Sequence, residues 1–430
     1  MPNSNHIRLN RAFNSLQGLS VGDAFGEKFF LHPNVAENII ASRAIPALPW
    51  YYTDDTQMSL SIYWVLREYG EINQDELAKS FARRYDEERG YGAGMQRLLL
   101  GIRDGEKWQD LSSNSFAGQG SYGNGGAMRV APLGAFFADD MDLVVEQAIK
   151  SAEITHAHLE GIAGTVAVAV AAAFACKFKE SNKPSKTEFL DSILPYIPES
   201  EVASKVRRAR DLQDDVSVNS AAAILGNGTK VSAQETVPFA LWSAAQNLDN
   251  YEEALWLTVS GLGDRDTTCA IRFSVALWAI AGGIVALSAG IENIPDTWLS
   301  AREVLPNWIY LNQEELETET VILYRPVGEQ ELVLIQESGY KEFPPRLPEQ
   351  PIFYPVLNQE YAIEIARDWN AVDNNKGYVT KFEVKSAFLS NYSIKVVGAS
   401  RHQEYWIPAE DLEEFNSNIV GLIEVVREFY

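Results

Sequence analysis

Two short acidic clusters carry the most chemical potential in this sequence. Thr53-Asp54-Asp55-Thr56 stands directly before the amphipathic run Met58 to Val65, and Asp264-Arg265-Asp266-Thr267-Thr268 follows Gly261-Leu262-Gly263 and precedes another apolar run near Cys269. Each sits where a helix should begin. Helix capping accounts for one such cluster, since a threonine N-cap followed by acids is worth about 0.3 to 1 kcal/mol per acid through the helix dipole. Its recurrence points to metal binding as well. The two helix starts together supply six or more hard oxygen donors, a set that suits Mg²⁺ or Mn²⁺ better than zinc. If the fold brings them together, four carboxylates repel one another unless cations sit among them. Zinc is further disfavoured because His156 and His158, the His-x-His pair, cannot present both rings on one helix face.

The third candidate is Gly118-Gln119-Gly120-Ser121-Tyr122-Gly123-Asn124-Gly125-Gly126-Ala127-Met128-Arg129, with five glycines in nine positions. Such a loop can turn backbone N–H groups toward phosphate, or can simply be a structural loop in which glycines supply positive φ. It contains a formal Gly-x-Gly-x-x-Gly. The dinucleotide-fold reading fails, however, because Leu111 to Ala117 is polar rather than a buried strand and no βαβ pattern surrounds it. Phe116 and Tyr122 add flat apolar surfaces on which an adenine can stack.

Helices must position these residues. From Leu9 to about Leu305 apolar residues recur at helical spacing, as in Met58 to Tyr69, Leu143 to Ser151, Ile162 to Phe178, Thr236 to Gln246 and Tyr251 to Val259. This predicts an all-α domain, residues 1–315, with small residues such as Gly161, Ala163, Gly164 and Ala167 allowing close helix approach. After Pro306 the pattern changes. Thr320 to Tyr324 and Glu331 to Gln336 read as strands, a proline-rich segment runs from Phe343 to Pro355, and a helix over Gln359 to Trp369 precedes strands at Tyr378 to Val384, Ser393 to Val397 and Tyr405 to Ile407. A last element covers Ile419 to Val426. Residues 316–430 are thus expected to form a smaller α+β domain, either a target-binding or a structural module.

With 46% hydrophobic residues the chain has ample core material, and the Ala-rich Ala163 to Phe178 is shorter than a membrane span, so no membrane partner is expected. A formal charge of −23 makes nucleic acid an unlikely partner, because backbone binding draws on clustered Lys and Arg. The start Met1-Pro2-Asn3-Ser4-Asn5-His6 lacks the basic and apolar segments of a signal peptide, and Cys176 and Cys269 read as two buried free thiols. A cytoplasmic location is expected.

The ordered set Gly18-Leu19-Ser20-Val21-Gly22-Asp23-Ala24-Phe25-Gly26, Tyr52-Thr53-Asp54-Asp55-Thr56, Tyr122 to Arg129, Thr155-His156-Ala157-His158 and Gly263-Asp264-Arg265-Asp266-Thr267 resembles the ADP-ribosylglycohydrolase family. Members include dinitrogenase reductase-activating glycohydrolase and the ADP-ribosyl-acceptor hydrolases. The resemblance implies an orthogonal multi-helix bundle with two Mg²⁺ or Mn²⁺ ions between Thr53, Asp54 and Asp55 on one side and Asp264, Asp266 and Thr267 on the other. It also implies that the loop of Gly120, Ser121, Tyr122, Gly123, Asn124, Gly125, Gly126 and Met128 cradles a diphosphate near His156. The implied reaction releases ADP-ribose from a modified protein or small molecule, through an oxocarbenium-like transition state.

Three features depart from the family pattern. Relatives of the serine-specific hydrolases carry a Glu four residues after the Gly-Asp-x-x-Gly motif, where this chain has Phe30. The nearest acid, Glu27, is the candidate for handling the attacking water, alongside Asp55 as a catalytic metal ligand. The stretch Arg89-Gly90-Tyr91-Gly92-Ala93-Gly94 lacks the acid often found in arginine-directed members, and Arg265 replaces the usual Thr between the late aspartates. A non-catalytic ADP-ribose binder or toxin-neutralising protein using the same pocket is the alternative, which turnover distinguishes.

Overall fold

The structure is a computed structural model that describes residues 4–179, 183–261, 276–310, 320–347, 349–371, 376–389, 391–392, 394–397 and 402–429. The chain forms two compact units, Met1–Val304 and Leu305–Tyr430, so the first ends before the expected position 315.

The first unit is built from helices, and those that frame the site are α1 (Ser4–Glu27), α2 (Asp54–Tyr69), the short turn α3 (Gly125–Met128), α4 (Ala131–Phe136), α5 (Met141–Glu153), α6 (Leu159–Lys179), α7 (Ala233–Gln246) and α8 (Ala276–Ser288). The helical runs expected at 58–69, 143–151, 162–178, 236–246 and 251–259 all fall within observed helices. Glycine spacing explains the closest packing. Gly18, Gly22 and Gly26 recur every fourth residue and so share one face of α1. A Cβ at Gly18 would strike Ala286 and the Gly282 carbonyl, and one at Gly26 would strike the Trp278 ring, all on α8. The same turns of α1 carry Asp23 and Glu27, so this packing also fixes the two acids.

Helix α6 is long and apolar enough to cross a membrane by length and composition, but Ala163 and every residue from Val166 to Ala173 are fully buried within the unit. It is the core helix on which others pack. Cys176 near its end is partly buried rather than fully buried, and Cys269 lies outside the described residues.

An aromatic cluster fixes the segment that leads into α2. Phe25 stacks on Trp298 at 4.4 Å and meets Trp256 edge-on at 5.1 Å, with Trp50 at 5.5 Å. The Trp50 N–H donates to the Ala301 carbonyl (2.9 Å), and the Glu303 N–H donates to the Trp50 carbonyl (2.9 Å). Arg89 is buried, pairs with Glu303, donates to the Tyr52 carbonyl (2.9 Å) and lies 4.0 Å over the Tyr52 ring. The residues just before Thr53 are therefore held on both their backbone and side-chain faces.

The second unit is α+β. Strands β1 (Thr320–Gly328), β3 (Gly377–Lys385) and β7 (Ile419–Phe429) form an antiparallel sheet in the order β1-β3-β7, with Thr320 opposite Lys385 and Gly328 opposite Gly377. Leu323, Phe343, Phe353, Phe382, Ile407 and Phe415 belong to its core. The strand expected at Glu331 to Gln336 is instead a helix, α9 (Glu329–Glu337). Leu332 and Ile335 are buried while Val333 and Leu334 are exposed, which is the i, i+3 burial of a helix face, and Glu329 and Glu331 in the first turn favour its dipole. The expected strand at Tyr405 to Ile407 is split at Trp406 into β5 (Gln403–Tyr405) and β6 (Ile407–Pro408), which pair with β4 (Ile394–Val396) and β2 (Ile352–Phe353) respectively.

Candidate functional site

Thr53 is the N-cap of α2, with Asp54 and Asp55 in the first turn. Its hydroxyl accepts weakly from the Asp55 N–H (3.4 Å) and donates to Asp23 Oδ1 (2.7 Å). Capping is therefore real. Asp23, fully buried on α1, also accepts from the Thr53 N–H (2.9 Å), the Thr56 N–H (3.1 Å) and the Thr56 hydroxyl (2.5 Å). One carboxylate thus anchors the start of α2 to α1 through four donors.

That anchoring concentrates negative charge. Burial, followed by the charge of Asp23, pushes Asp54 up to about 7, and burial with Asp23, Asp54 and Glu27 raises Asp55 well above the ordinary carboxylate range. Burial also raises Asp23, against the four hydrogen bonds it accepts. Asp55 is 3% exposed, and its Oδ2 has no hydrogen-bond partner among the described residues. Glu27, at the C-terminal end of α1 and half-buried, lies one turn beyond Asp23 on the same face. Phe30, where the family Glu is missing, meets Trp278 edge-on at 6.4 Å. Asp264, Asp266 and Thr267 lie outside the described residues, and among those described no three acidic, His or Cys side chains are arranged to hold a cation by themselves.

The glycine loop is stitched to the helices on either side. Tyr122 accepts from the Ala233 N–H (3.0 Å), the Asn124 N–H donates to the Val231 carbonyl (3.3 Å), and Asn124 Nδ2 donates to Thr236 Oγ1 (2.9 Å). The Ser121 hydroxyl accepts from the Gly123 N–H (3.2 Å). Positive φ is confined to Gly118 (+83°) and Gly120 (+75°). At Gly125 and Gly126 the requirement is proximity: a Cβ on Gly125 would lie 2.6 Å from His156 Cε1, and one on Gly126 would collide with the Thr165 hydroxyl. Positive φ thus accounts for Gly118 and Gly120 and not for Gly123, Gly125 or Gly126. As the first residues of α3, Gly125 and Gly126 direct N–H groups that have no intrahelical acceptor. Met128 is buried at the end of the same turn.

Phe116 and Tyr122 are exposed, with ring centroids 5.8 Å apart, and Tyr122 meets His158 edge-on at 5.6 Å. They form an aromatic surface at the loop's open side. His156 lies beneath the loop, 5% exposed, with Nδ1 2.7 Å from the Thr155 hydroxyl. Burial, helped by the nearby Arg129 charge, lowers it to about 3, so the ring is neutral at physiological pH. Arg129 is fully buried, donates to Thr155 Oγ1 (2.8 Å) and the Ser151 carbonyl (3.0 Å), and lies 4.5 Å from the Phe81 ring. Its own carbonyl accepts from Ser59 on α2 (2.8 Å), which ties the loop to the acid-bearing helix.

Sequence reasoning assigned no role to Asp23, Arg129 or Thr155, although each lies within a quoted motif. For Asp23 a signal existed: an acid between Gly22 and Gly26 in the apolar run Leu19 to Phe25 cannot face solvent if those glycines face a helix. Arg129 and Thr155 meet only in three dimensions.

The chain is 28% identical to the mouse (Mus musculus) ADP-ribosylhydrolase ARH3 over 335 residues, covering 67% of this chain and 86% of the mouse protein. It is 30% identical over 300 residues to an uncharacterised protein of Archaeoglobus fulgidus, covering 66% of this chain and 89% of that protein. A solved ADP-ribosylglycohydrolase-related protein complex aligns at 22% identity with a TM-score of 0.44, over 69% of this chain and 94% of the other. The family model for ADP-ribosylglycohydrolase matches residues 4–325, and the chain belongs to that family of ADP-ribose hydrolases.

Proposed function

We propose that this enzyme uses two divalent cations, Mg²⁺ or Mn²⁺, to hydrolyse the glycosidic bond that links ADP-ribose to a modified protein or small molecule. The observation that carries the reading is the crowding of Asp23, Glu27, Asp54 and Asp55, with an unpartnered oxygen on buried Asp55. Buried like charges raise one another's pKa and destabilise the fold unless a positive charge offsets them. The donors are all hard oxygens, which fits these cations. Thr53, Asp54 and Asp55 would hold them from α2, and Asp264, Asp266 and Thr267 from the second motif; bound there, the cations would supply Lewis acidity and lower the pKa of the attacking water.

The chain's own residues divide the remaining work. Asp23 holds the Thr53 hydroxyl proton, so that oxygen keeps a lone pair for a cation beside the weak bond it accepts from the Asp55 N–H. The N–H groups of Gly125 and Gly126 suit a diphosphate, and the Phe116 and Tyr122 surface suits an adenine. With both ends of the ligand held, its distal ribose is confined near the carboxylates, which lowers the entropic cost of reaction. Glu27 would accept a proton from water attacking the anomeric carbon.

The test is a panel of arginine-, serine-, nucleobase- and ester-linked ADP-ribose substrates, assayed with Mg²⁺, with Mn²⁺ and with excess EDTA. Release of ADP-ribose only in the metal-containing arms supports the reading, and undiminished release in EDTA defeats it. Glu27→Gln should lower turnover by roughly a hundredfold without changing ADP-ribose affinity; wild-type turnover would leave a metal ligand as the proton acceptor.

A further inference from the structure

We propose that Arg129 and Thr155 form a buried relay that holds His156 in the tautomer protonated at Nε2, so that the ring offers a neutral hydrogen-bond donor to an acceptor oxygen of the bound ADP-ribosyl group. The identity of the ligand rests on the proposed function; the relay itself does not.

Hydrogen-bond accounting gives the tautomer. A guanidinium only donates, so in the 2.8 Å contact with Arg129 the Thr155 oxygen is the acceptor. Thr155 is 1% exposed, and its hydroxyl proton must therefore find an acceptor inside the protein. Among the described residues the remaining partner is His156 Nδ1, at 2.7 Å. If Nδ1 carried the proton instead, the threonine oxygen would accept twice and its own proton would be buried without a partner. Donation from Thr155 to Nδ1 satisfies every group and leaves the ring proton on Nε2. The adjacent Arg129 charge polarises the hydroxyl and strengthens that donation.

The Nε2 edge then faces the loop. A Cβ at Gly123 would lie 3.1 Å from Nε2, and one at Gly125 would lie 2.9 Å from it, so this nitrogen looks out between the two glycines. No hydrogen bond to Nε2 is made by the described residues, although His156 is 95% buried by its 5% exposure. A ring donor without a partner among the described residues, beside the Gly125 and Gly126 N–H groups for which those residues supply no acceptor, is suited to a ligand oxygen. Arg129 and Thr155 are positioning residues in this scheme, because neither faces the loop's open side.

The experiment combines ring ¹⁵N chemical shifts with ADP-ribose titration, using histidine-labelled protein whose His156 signal is assigned by its loss in His156→Gln. Wild type should show the Nε2–H pattern. Thr155→Val, which keeps the shape and removes the hydroxyl, should shift His156 toward Nδ1–H and raise the Kd for ADP-ribose about tenfold. Thr155→Ser should restore both, and circular dichroism checks that each variant is folded. An Nδ1–H pattern in wild type, or an unaltered Nε2–H pattern in folded Thr155→Val, overturns the relay. A tautomer shift with unchanged ADP-ribose affinity overturns the assignment of Nε2–H as a ligand donor. If wild type fails to bind ADP-ribose at all, the functional reading fails, while the ring shifts still decide the relay.

Discussion

Around Asp55 the protein gathers negative charge that it does not neutralise, whereas around His156 it keeps a titratable ring uncharged. The first region raises carboxylate pKa values through burial and mutual repulsion. The second lowers an imidazole pKa through burial and a neighbouring cation. Both depart from ordinary titration, but only the first would be relieved by a bound cation. The second is complete within the fold apart from Nε2. The difference suggests a division of labour, with one half of the site stable only when loaded and the other half preorganised.

The strongest way to break this contrast is Asp55→Ala. Removal of a hard anionic ligand should lower turnover by more than about a hundredfold. In EDTA the same change should raise the melting temperature, because it relieves repulsion with Asp23 and Asp54. Kinetics and thermal melts together make the test, and full activity would remove Asp55 from the metal site. Asp23→Asn should act less severely, weakening Mn²⁺ binding by about 10- to 100-fold as measured by calorimetry. The amide oxygen can keep the three donors that meet Oδ2, but the NH₂ would replace Oδ1 against the Thr53 hydroxyl, which would then have to accept and give up a lone pair that the cation needs. Unchanged Mn²⁺ affinity would reduce Asp23 to a fold-stabilising cap anchor.

How much of this was legible follows from which signals are local. The helical runs and the N-cap at Thr53 could be read because period and capping are properties of neighbouring residues. Glu331 to Gln336 misled because four consecutive apolar residues, Leu332 to Ile335, fit a buried strand as well as a helix until burial is known. The glycine loop was recognised, but the reason for Gly125 was not: the His156 ring that excludes a Cβ comes from a segment distant in sequence. The relay through Arg129 and Thr155 was illegible for the same reason. Asp23 was readable in principle, since a lone acid among Leu19, Val21, Ala24 and Phe25 demands a buried partner.

Gly125→Ala separates the two regions from the other side. Its methyl group would have to displace the His156 ring or the turn that carries Gly126, which should raise the Kd for ADP-ribose about tenfold while leaving Mn²⁺ binding as it was. Titrations with each ligand check it. Loss of Mn²⁺ affinity would show that the two regions are mechanically coupled, through the Ser59 bond to the Arg129 carbonyl, and an unchanged ADP-ribose constant would move the diphosphate away from the loop.

The smallest effect concerns stability against pH, where the two regions should oppose each other. His156 is held near 3 in the folded protein, against about 6.5 when unfolded. Below about 6.5 the unfolded chain therefore binds a proton that the folded chain refuses. Stability from this group is complete above that pH and is lost as the pH falls toward 3, at up to about 1.4 kcal/mol per pH unit. Asp54 works the other way. Raised to about 7, it is protonated in the folded protein before the unfolded one, so its contribution is present at low pH and is lost as the pH rises from about 4 to 7. In EDTA Asp23 and Asp55, raised in the same direction, add to the Asp54 slope and should outweigh that of His156, so stability should fall as the pH rises from about 4 to 7. Mg²⁺ keeps the carboxylates ionised and should uncover the His156 slope, so that the metal-loaded protein loses stability more steeply on acidification. His156→Gln should then flatten the Mg²⁺ profile and tilt the EDTA profile toward greater stability at low pH. Thermal melts of both proteins in both conditions make the comparison, and equal acid slopes for wild type and His156→Gln in Mg²⁺ would show that the ring is not the neutral, buried group on which the contrast depends.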